Sequence, residues 1–135
     1  MFGGDNRSLP EEVEEYIGTL QERIKPQAIV LFGSRSGENP HPQSDYDIMV
    51  IAEDLPKDFW ERQDSLWEGR PLCVEVIGLT PDEVASKIFR GLILDALLQG
   101  VVLRGDISEL KGKAEAYLRE YRLVRMPVGY VRRTA

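Results

Sequence analysis

The sequence predicts an α/β fold in which a small β-sheet packs against helices. Patterns typical of helices and of strands alternate along the chain, and one apolar run is continuous, which is typical of a strand covered on both faces. The length of 135 residues fits one domain with one core. The predicted order is helix, strand, strand, helix, strand, helix, strand, helix, which makes an α/β sandwich.

The first three predicted elements are one helix and two strands. An apolar stripe of helical period indicates a helix over residues 9–24, and Ser8 with Glu11 has the spacing of a capping box. The continuous apolar run over 28–32 is the first strand, and the second strand occupies 45–52. The segment between these strands is rich in Gly, Ser, Asn and Pro, which indicates a loop.

The remaining predicted elements alternate between helix and strand. Aromatic residues at heptad spacing predict a helix over 56–69 with a face that packs in the core or at an interface, and a third strand follows at 72–77. A capping box with proline in the first turn opens a helix over 81–99, and a short strand over 101–103 comes next. The last helix spans 106–125, and the residues after it form a tail.

The charge of the chain is unevenly distributed. The net charge is −6, yet residues 111–135 hold seven basic and two acidic residues, so the remainder carries −11. We therefore expect a single domain over 1–135 whose C-terminal helix and basic tail, 106–135, serve as a partner-binding extension. Three interpretations of the tail stay open: a solvated helix end, a contact to nucleotide or RNA, or docking of an acidic or phosphorylated partner.

Composition excludes several classes of protein. No apolar stretch is long enough to span a bilayer, so we expect no membrane association. The absence of a secretory pattern and the single Cys73 favour the cytoplasm. One Cys and one His cannot form a zinc site, and the acidic balance argues against duplex DNA as a ligand.

Three carboxylates are placed where neighbouring strands would bring them together. Asp45 and Asp47 open the second strand and share one face because strands alternate with period two, and Glu75 lies within the third strand. Crowded carboxylates repel one another unless a cation lies between them, and hard oxygen ligands suit Mg²⁺. Two such ions can clamp the attacking and leaving oxygens of a phosphoryl displacement.

A Gly-Ser turn directly follows the first strand. Gly33 lets the backbone approach a phosphate closely, Ser34 adds a hydroxyl donor, and Arg35 could add a cation to the same cradle. Together with the carboxylates, this turn predicts a site for metal and nucleotide. The alternative is a chance surface cluster in which Asp45 opens a turn, but it does not explain Asp47 inside an apolar strand.

These residues resemble the minimal nucleotidyltransferases of the DNA polymerase β superfamily. Gly33-Ser34, ten intervening residues and Asp45-Tyr46-Asp47 match the GSx10DxD motif of that family, and Glu75 resembles its third carboxylate. The resemblance implies a polymerase β-like nucleotidyltransferase fold with a small mixed sheet. The chain departs from the pattern at Glu75, where the family usually has Asp, and in the loop that begins Arg35-Ser36-Gly37-Glu38.

The resemblance also implies roles for individual residues. Three side chains would be catalytic residues and ligands of Mg²⁺, two ions in all: Asp45, Asp47 and Glu75. Gly33 and Ser34 would bind the triphosphate of a nucleotide.

The implied reaction transfers a nucleoside monophosphate, AMP from ATP, to a hydroxyl acceptor. Stand-alone members of the family are similar to antitoxins that adenylylate HEPN-domain ribonuclease toxins, so the implied acceptor is a separate HEPN-type partner protein. A homo-oligomer stays open. Two other functions also stay open: a binding module with a vestigial metal site that neutralises its partner by contact, and a small-molecule transferase of the aminoglycoside type.

Overall fold

A four-stranded mixed sheet forms the centre of the molecule. The structure is a computed structural model that describes residues 9–33, 45–127 and 129–133. The strands of the sheet are β1 (Ala28–Phe32), β2 (Tyr46–Ile51), β3 (Val74–Leu79) and β4 (Val101–Gly105). They lie in the order β3-β2-β1-β4, with β1 antiparallel to both its neighbours and β2 parallel to β3.

Helices cover both faces of this sheet. The described helices are α1 (Glu11–Ile24), α2 (Phe59–Trp67), α3 (Pro81–Ser86), α4 (Gly91–Gln99) and α5 (Ser108–Tyr121). One core cluster joins the sheet to α1 and α2, and a second joins it to α3, α4 and α5. The mixed sheet between two helical layers confirms the predicted α/β fold. None of these described helices is both long and apolar enough to cross a membrane.

Strand β1 is buried along its whole length because it faces both clusters. Ile29 and Leu31 belong to the cluster that contains α1, whereas Ala28, Val30 and Phe32 belong to the cluster that contains α4 and α5. A strand with two covered faces needs apolar residues at every position, which explains the continuous run in the sequence.

The single helix predicted over 81–99 is wrong, because the structure has two helices there, α3 and α4. The backbone at Arg90 is extended (φ −80°, ψ 134°), so helical hydrogen bonding stops before Gly91. In α4 Ile93 is buried and Leu92 is more than half exposed, and Phe89, which precedes this helix, is also more than half exposed. The apolar stripe counted across the break therefore does not describe one buried face.

The tail predicted after residue 125 is also wrong. Helix α5 ends at Tyr121, where Arg122 takes a left-handed conformation (φ 53°), and a β-hairpin follows. We call this the C-terminal hairpin; its strands are β5 (Leu123–Met126) and β6 (Gly129–Arg132), paired antiparallel.

The packed aromatic face predicted for 56–69 is not part of the core. Leu66 is the buried residue of α2, whereas Phe59 and Trp60 are 61% and 66% exposed. Their rings contact each other edge to face with centroids 5.0 Å apart. The heptad spacing predicted the helix, but the aromatic face of this helix does not pack into the core.

Arg62 of α2 connects this helix to β3 and α3 through hydrogen bonds. Its Nε donates to the Pro56 carbonyl (2.7 Å), and its Nη1 donates to the Gly78 carbonyl (3.1 Å) and to Oε1 of Glu83 (2.8 Å). Glu83 also accepts from the Thr80 backbone, which confirms the predicted capping box. Burial acts to raise the pKa of Glu83, but the hydrogen bonds from Arg62 and Thr80 outweigh it and lower this pKa.

Replacing Arg62 with Ala should lower the free energy of unfolding by about 2–4 kcal/mol, because the Glu83 carboxylate and two carbonyls lose their donor. The matched control is Lys113→Ala, which breaks an exposed pair with Glu109 (4.0 Å) and should cost about 0–0.5 kcal/mol. Urea denaturation measures both values. Equal losses in the two variants would show that Arg62 is not a structural tie.

Candidate active site

The predicted carboxylates lie at one end of the sheet, where β1 ends and β2 and β3 begin. Asp47 pairs with Phe32 across the antiparallel β1–β2 ladder and with Glu75 across the parallel β2–β3 ladder. Residues in register on adjacent strands project from the same face. Asp47 and Glu75 therefore share the face that α3, α4 and α5 cover, and Asp45 lies just before β2.

Gly33 and the carboxylate of Asp47 lie so close together that a Cβ atom on residue 33 would displace the carboxylate. Gly33 directly follows β1 and has a positive φ of +75°. A Cβ atom built there would lie 2.5 Å from Oδ2 of Asp47. The left-handed backbone disfavours a side chain at this position, and a Cβ would also force the Asp47 carboxylate to move. The first residue of the Gly-Ser turn thus makes room for the carboxylate of the second strand.

The environment of Asp47 is unfavourable to its negative charge. Burial raises the pKa of this carboxyl, and the negative charges of Asp45 and Glu75 raise it further. Asp45 and Glu75 themselves are exposed, and Asp47 is half-buried. The end of the sheet is consequently an anionic cluster that a cation would stabilise.

The donor chemistry of this cluster fits a divalent cation such as Mg²⁺, which prefers carboxylate oxygens and keeps several waters. A carboxylate oxygen of Asp47 lies in the space that the absent side chain of Gly33 leaves, and such an oxygen is a suitable metal ligand. Within the described ranges, however, no three His, Cys, Asp or Glu side chains are gathered into a group that could hold one ion. The closed set of three ligands expected from the sequence is therefore not assembled among these residues.

The other predicted nucleotide-binding residues, Ser34 and Arg35, lie outside the described residues. The geometry of the turn is therefore described only at Gly33, its first residue.

A cleft of about 430 Å³ opens beside Asp47, a volume in the range of small-molecule sites. One side is the end of β1 with Asp47, and the other sides are α4 and the C-terminal hairpin. The lining residues are Phe32, Gly33, Asp47, Gly91, Leu92, Asp95, Arg125, Met126, Pro127, Gly129 and Tyr130. The basic end of the chain thus meets the acidic end of the sheet.

Three polar side chains connect the hairpin to α4 at this cleft. Arg125 Nε donates to Oδ1 of Asp95 (2.8 Å), and the Tyr130 hydroxyl donates to the same oxygen (3.3 Å). The hydrogen bond and charge of Asp95 raise the pKa of Arg125, and burial followed by the Asp95 charge raises the pKa of Tyr130. Asp95 was missed in the sequence, although it is the one charged residue of an otherwise apolar helix.

Replacing Gly33 with Ala should disturb Asp47 in addition to straining the backbone. Gly69→Ala is the matched control, since Gly69 has φ +76° and nothing within 4 Å of a Cβ. Both variants should lose about 1 kcal/mol of unfolding free energy from the positive φ. Only Gly33→Ala should weaken Mg²⁺ binding in titration calorimetry, and equal Mg²⁺ affinities would disprove the contact.

Replacing Asp47 with Asn should stabilise the metal-free protein. The pKa of Asp47 is raised in the folded state above its ordinary 3.8, so stability falls as pH rises through the window between the two values. At pH 7 without Mg²⁺ the variant should melt about 1–4 °C higher, and this difference should shrink as pH approaches 3.8. Added Mg²⁺ should raise the melting temperature of the unmodified chain only. Calorimetry that shows identical melting at every pH would contradict this.

Comparison with known proteins agrees with the geometry. Residues 14–77 match the family model described as polymerase beta, nucleotidyltransferase. This range contains Gly33, Asp45, Asp47 and Glu75. No curated protein matches the chain by sequence.

Several of the solved structures that match this chain are toxin-antitoxin structures. A crystal structure of a toxin-antitoxin with AMP-PNP is 27% identical with a TM-score of 0.53, and the match covers 84% of this chain and 88% of that chain. A mutant of the toxin-antitoxin MntA-HpeT is 25% identical with a TM-score of 0.52 and the same coverage. A tri-AMPylated Shewanella oneidensis HEPN toxin in complex with MNT antitoxin gives 24% identity, a TM-score of 0.49 and coverage of 82% and 84%.

The family match and the shared fold confirm the resemblance inferred from the GSx10DxD motif. Residues 14–77 of this chain match the polymerase beta nucleotidyltransferase model, and the fold of the chain is similar to that found in two toxin-antitoxin structures.

Proposed function

We propose that this chain is a Mg²⁺-dependent nucleotidyltransferase that transfers AMP from ATP to a hydroxyl group of a separate HEPN-type partner protein in the cytoplasm. The observation that carries the proposal is the contact between Gly33 and Asp47, which reserves one end of a cleft for a carboxylate. Two neighbours of similar fold are toxin-antitoxin structures, one of them with AMP-PNP, which supports the choice of nucleotide and partner.

In this proposal Asp45 and Asp47 hold the metal through their carboxylate oxygens. When bound, Mg²⁺ supplies charge stabilisation to the phosphoryl oxygens of the nucleotide. Asp47 is suited to this role because burial and the charges of Asp45 and Glu75 disfavour its ionised form in the absence of a cation. The chain thus presents a carboxylate that gains stability when a cation arrives.

Glu75 is proposed to position the acceptor hydroxyl. It lies next to Asp47 across the β2–β3 ladder and is exposed, so an acceptor can reach it. A bond forms between the acceptor oxygen and the α-phosphorus as the bond from that phosphorus to the leaving pyrophosphate breaks. The hydroxyl proton passes to the carboxylate of Glu75.

Gly33, Ser34 and Arg35 are proposed to bind the phosphates of the nucleotide. Gly33 has no side chain to block its own backbone, and the Asp47 carboxylate lies in the space where a Cβ would be. The cleft next to Gly33 continues toward α4 and the C-terminal hairpin, which leaves room for the rest of the nucleotide.

One observation favours a second candidate function, neutralisation of the partner by contact alone. Among the described residues no three potential ligands form a group that could hold a metal, and Glu75 stands where the family usually has Asp. A chain with a vestigial metal site would bind the partner without modifying it. Measuring AMP transfer separates the two functions.

The decisive measurement is the mass of a co-purified partner after incubation with ATP and Mg²⁺. The unmodified chain should add one or more AMP units to the partner, and Asp47→Asn should reduce the rate at least about 100-fold. Removing the metal with EDTA should have the same effect. Asp64→Asn, which changes an exposed acid of α2 away from the site, is the matched control and should leave the rate unchanged.

The same variants show whether transfer matters to the partner. If Asp47→Asn neutralises the partner as well as the unmodified chain does, contact alone accounts for the function. If no nucleotide changes the mass of the partner, the enzymatic proposal is wrong.

A further inference from the structure

The position of the C-terminal hairpin depends on few contacts. A two-stranded hairpin is at best marginally stable in water without packing partners. Leu123 and Tyr130 pack against the second core cluster, but Val124, Met126 and Val131 are exposed. Backbone pairing at its base adds one bond, from Arg133 N to the Arg122 carbonyl (2.6 Å). Polar contacts to the body therefore have a large share in fixing the hairpin.

Asp95 supplies those polar contacts. Its Oδ1 accepts from Arg125 at 2.8 Å and from Tyr130 at 3.3 Å, so one oxygen ties both strands of the hairpin to α4. We call these three residues the hairpin latch. The Arg125 and Asp95 side chains are 53% and 33% exposed, so solvent partly screens the pair, and the second donor on Asp95, Tyr130, is the more buried of the two.

The latch lies at the cleft that contains Gly33 and Asp47. All three latch residues line the cleft, and so do Met126 and Gly129 of the hairpin. Without the hairpin, the end of the sheet and α4 alone would border this space. Arg125 uses Nε for the pair with Asp95, so its terminal nitrogens are not consumed by that contact.

We propose that Asp95 is a positioning residue that holds the hairpin as one wall of the nucleotide site, so that affinity for a nucleoside triphosphate depends on the latch. The choice of ligand rests on the proposed function. Asp95 acts through Arg125, which brings a cation to the cleft, and through Tyr130, which brings an aromatic ring. The ordinary alternative is an ion pair that stabilises the hairpin and has no effect on ligand binding.

The test uses Asp95→Asn in the full chain, with AMP-PNP and Mg²⁺ as the probe. Trypsin should cleave the variant at Arg125 and Arg132 about three times faster or more, because the hairpin detaches more often. The dissociation constant for AMP-PNP should rise about fivefold to tenfold in titration calorimetry. The KM for ATP should rise by a similar factor while kcat changes less than about twofold. Arg125→Gln removes one trypsin site, so it should reproduce the faster cleavage at Arg132 and the loss of affinity, and Tyr130→Phe should give smaller effects.

Glu109→Gln is the matched control, because it also converts the acid of a surface ion pair to an amide and does not line the cleft. Equal cleavage and equal AMP-PNP affinity for Asp95→Asn and Glu109→Gln would overturn the proposal. Faster cleavage with unchanged affinity would also overturn it, since the latch would then hold the hairpin without building the site. Failure of the unmodified chain to bind AMP-PNP would instead refute the proposed function, and proteolysis would still report on the latch.

Discussion

The contact between Gly33 and Asp47 determines what the end of the sheet can hold. A backbone with positive φ and no Cβ lets a half-buried carboxylate lie against the end of β1. The same carboxylate faces the charges of Asp45 and Glu75, which raise its pKa. This electrostatic cost is concentrated at the end of the sheet beside the cleft, and a cation bound there would offset it.

The sequence was most informative where one physical requirement decides the residue type. A strand covered on both faces tolerates only apolar residues, so the bounds of β1 were predicted at Ala28 and Phe32 as the structure has them. The alternation of a strand predicted that Asp45 and Asp47 share one face, and the β2–β3 register places Glu75 beside Asp47. Thr80 and Glu83 identified a helix start because the capping box satisfies two backbone donors at once.

The elements that the sequence did not reveal depend on tertiary contacts. The helix breaks at Arg90 and a new helix begins at Gly91. The spacing of apolar residues alone does not indicate such a break. The hairpin lies in a basic segment whose arginines and tyrosines suggested a partner-binding tail, although Pro127 and Gly129 between Met126 and Tyr130 are a turn signal. Asp95 meets its partners 30 and 35 residues further along the chain, a pairing that local patterns cannot indicate.

The two sides of the cleft come from opposite halves of the chain, and this has a consequence for how the site comes into being. Strands β1 to β3 and their carboxylates precede residue 80, whereas the hairpin follows residue 122. During synthesis the acidic end of the sheet leaves the ribosome first, and the opposing wall arrives only after α5 has been made. A chain cut between α5 and β5 would keep the residues of both core clusters other than Leu123 and Tyr130, yet leave Asp47 without the hairpin side of the cleft. The cleft proposed to bind the nucleotide is therefore complete only after the hairpin has been made.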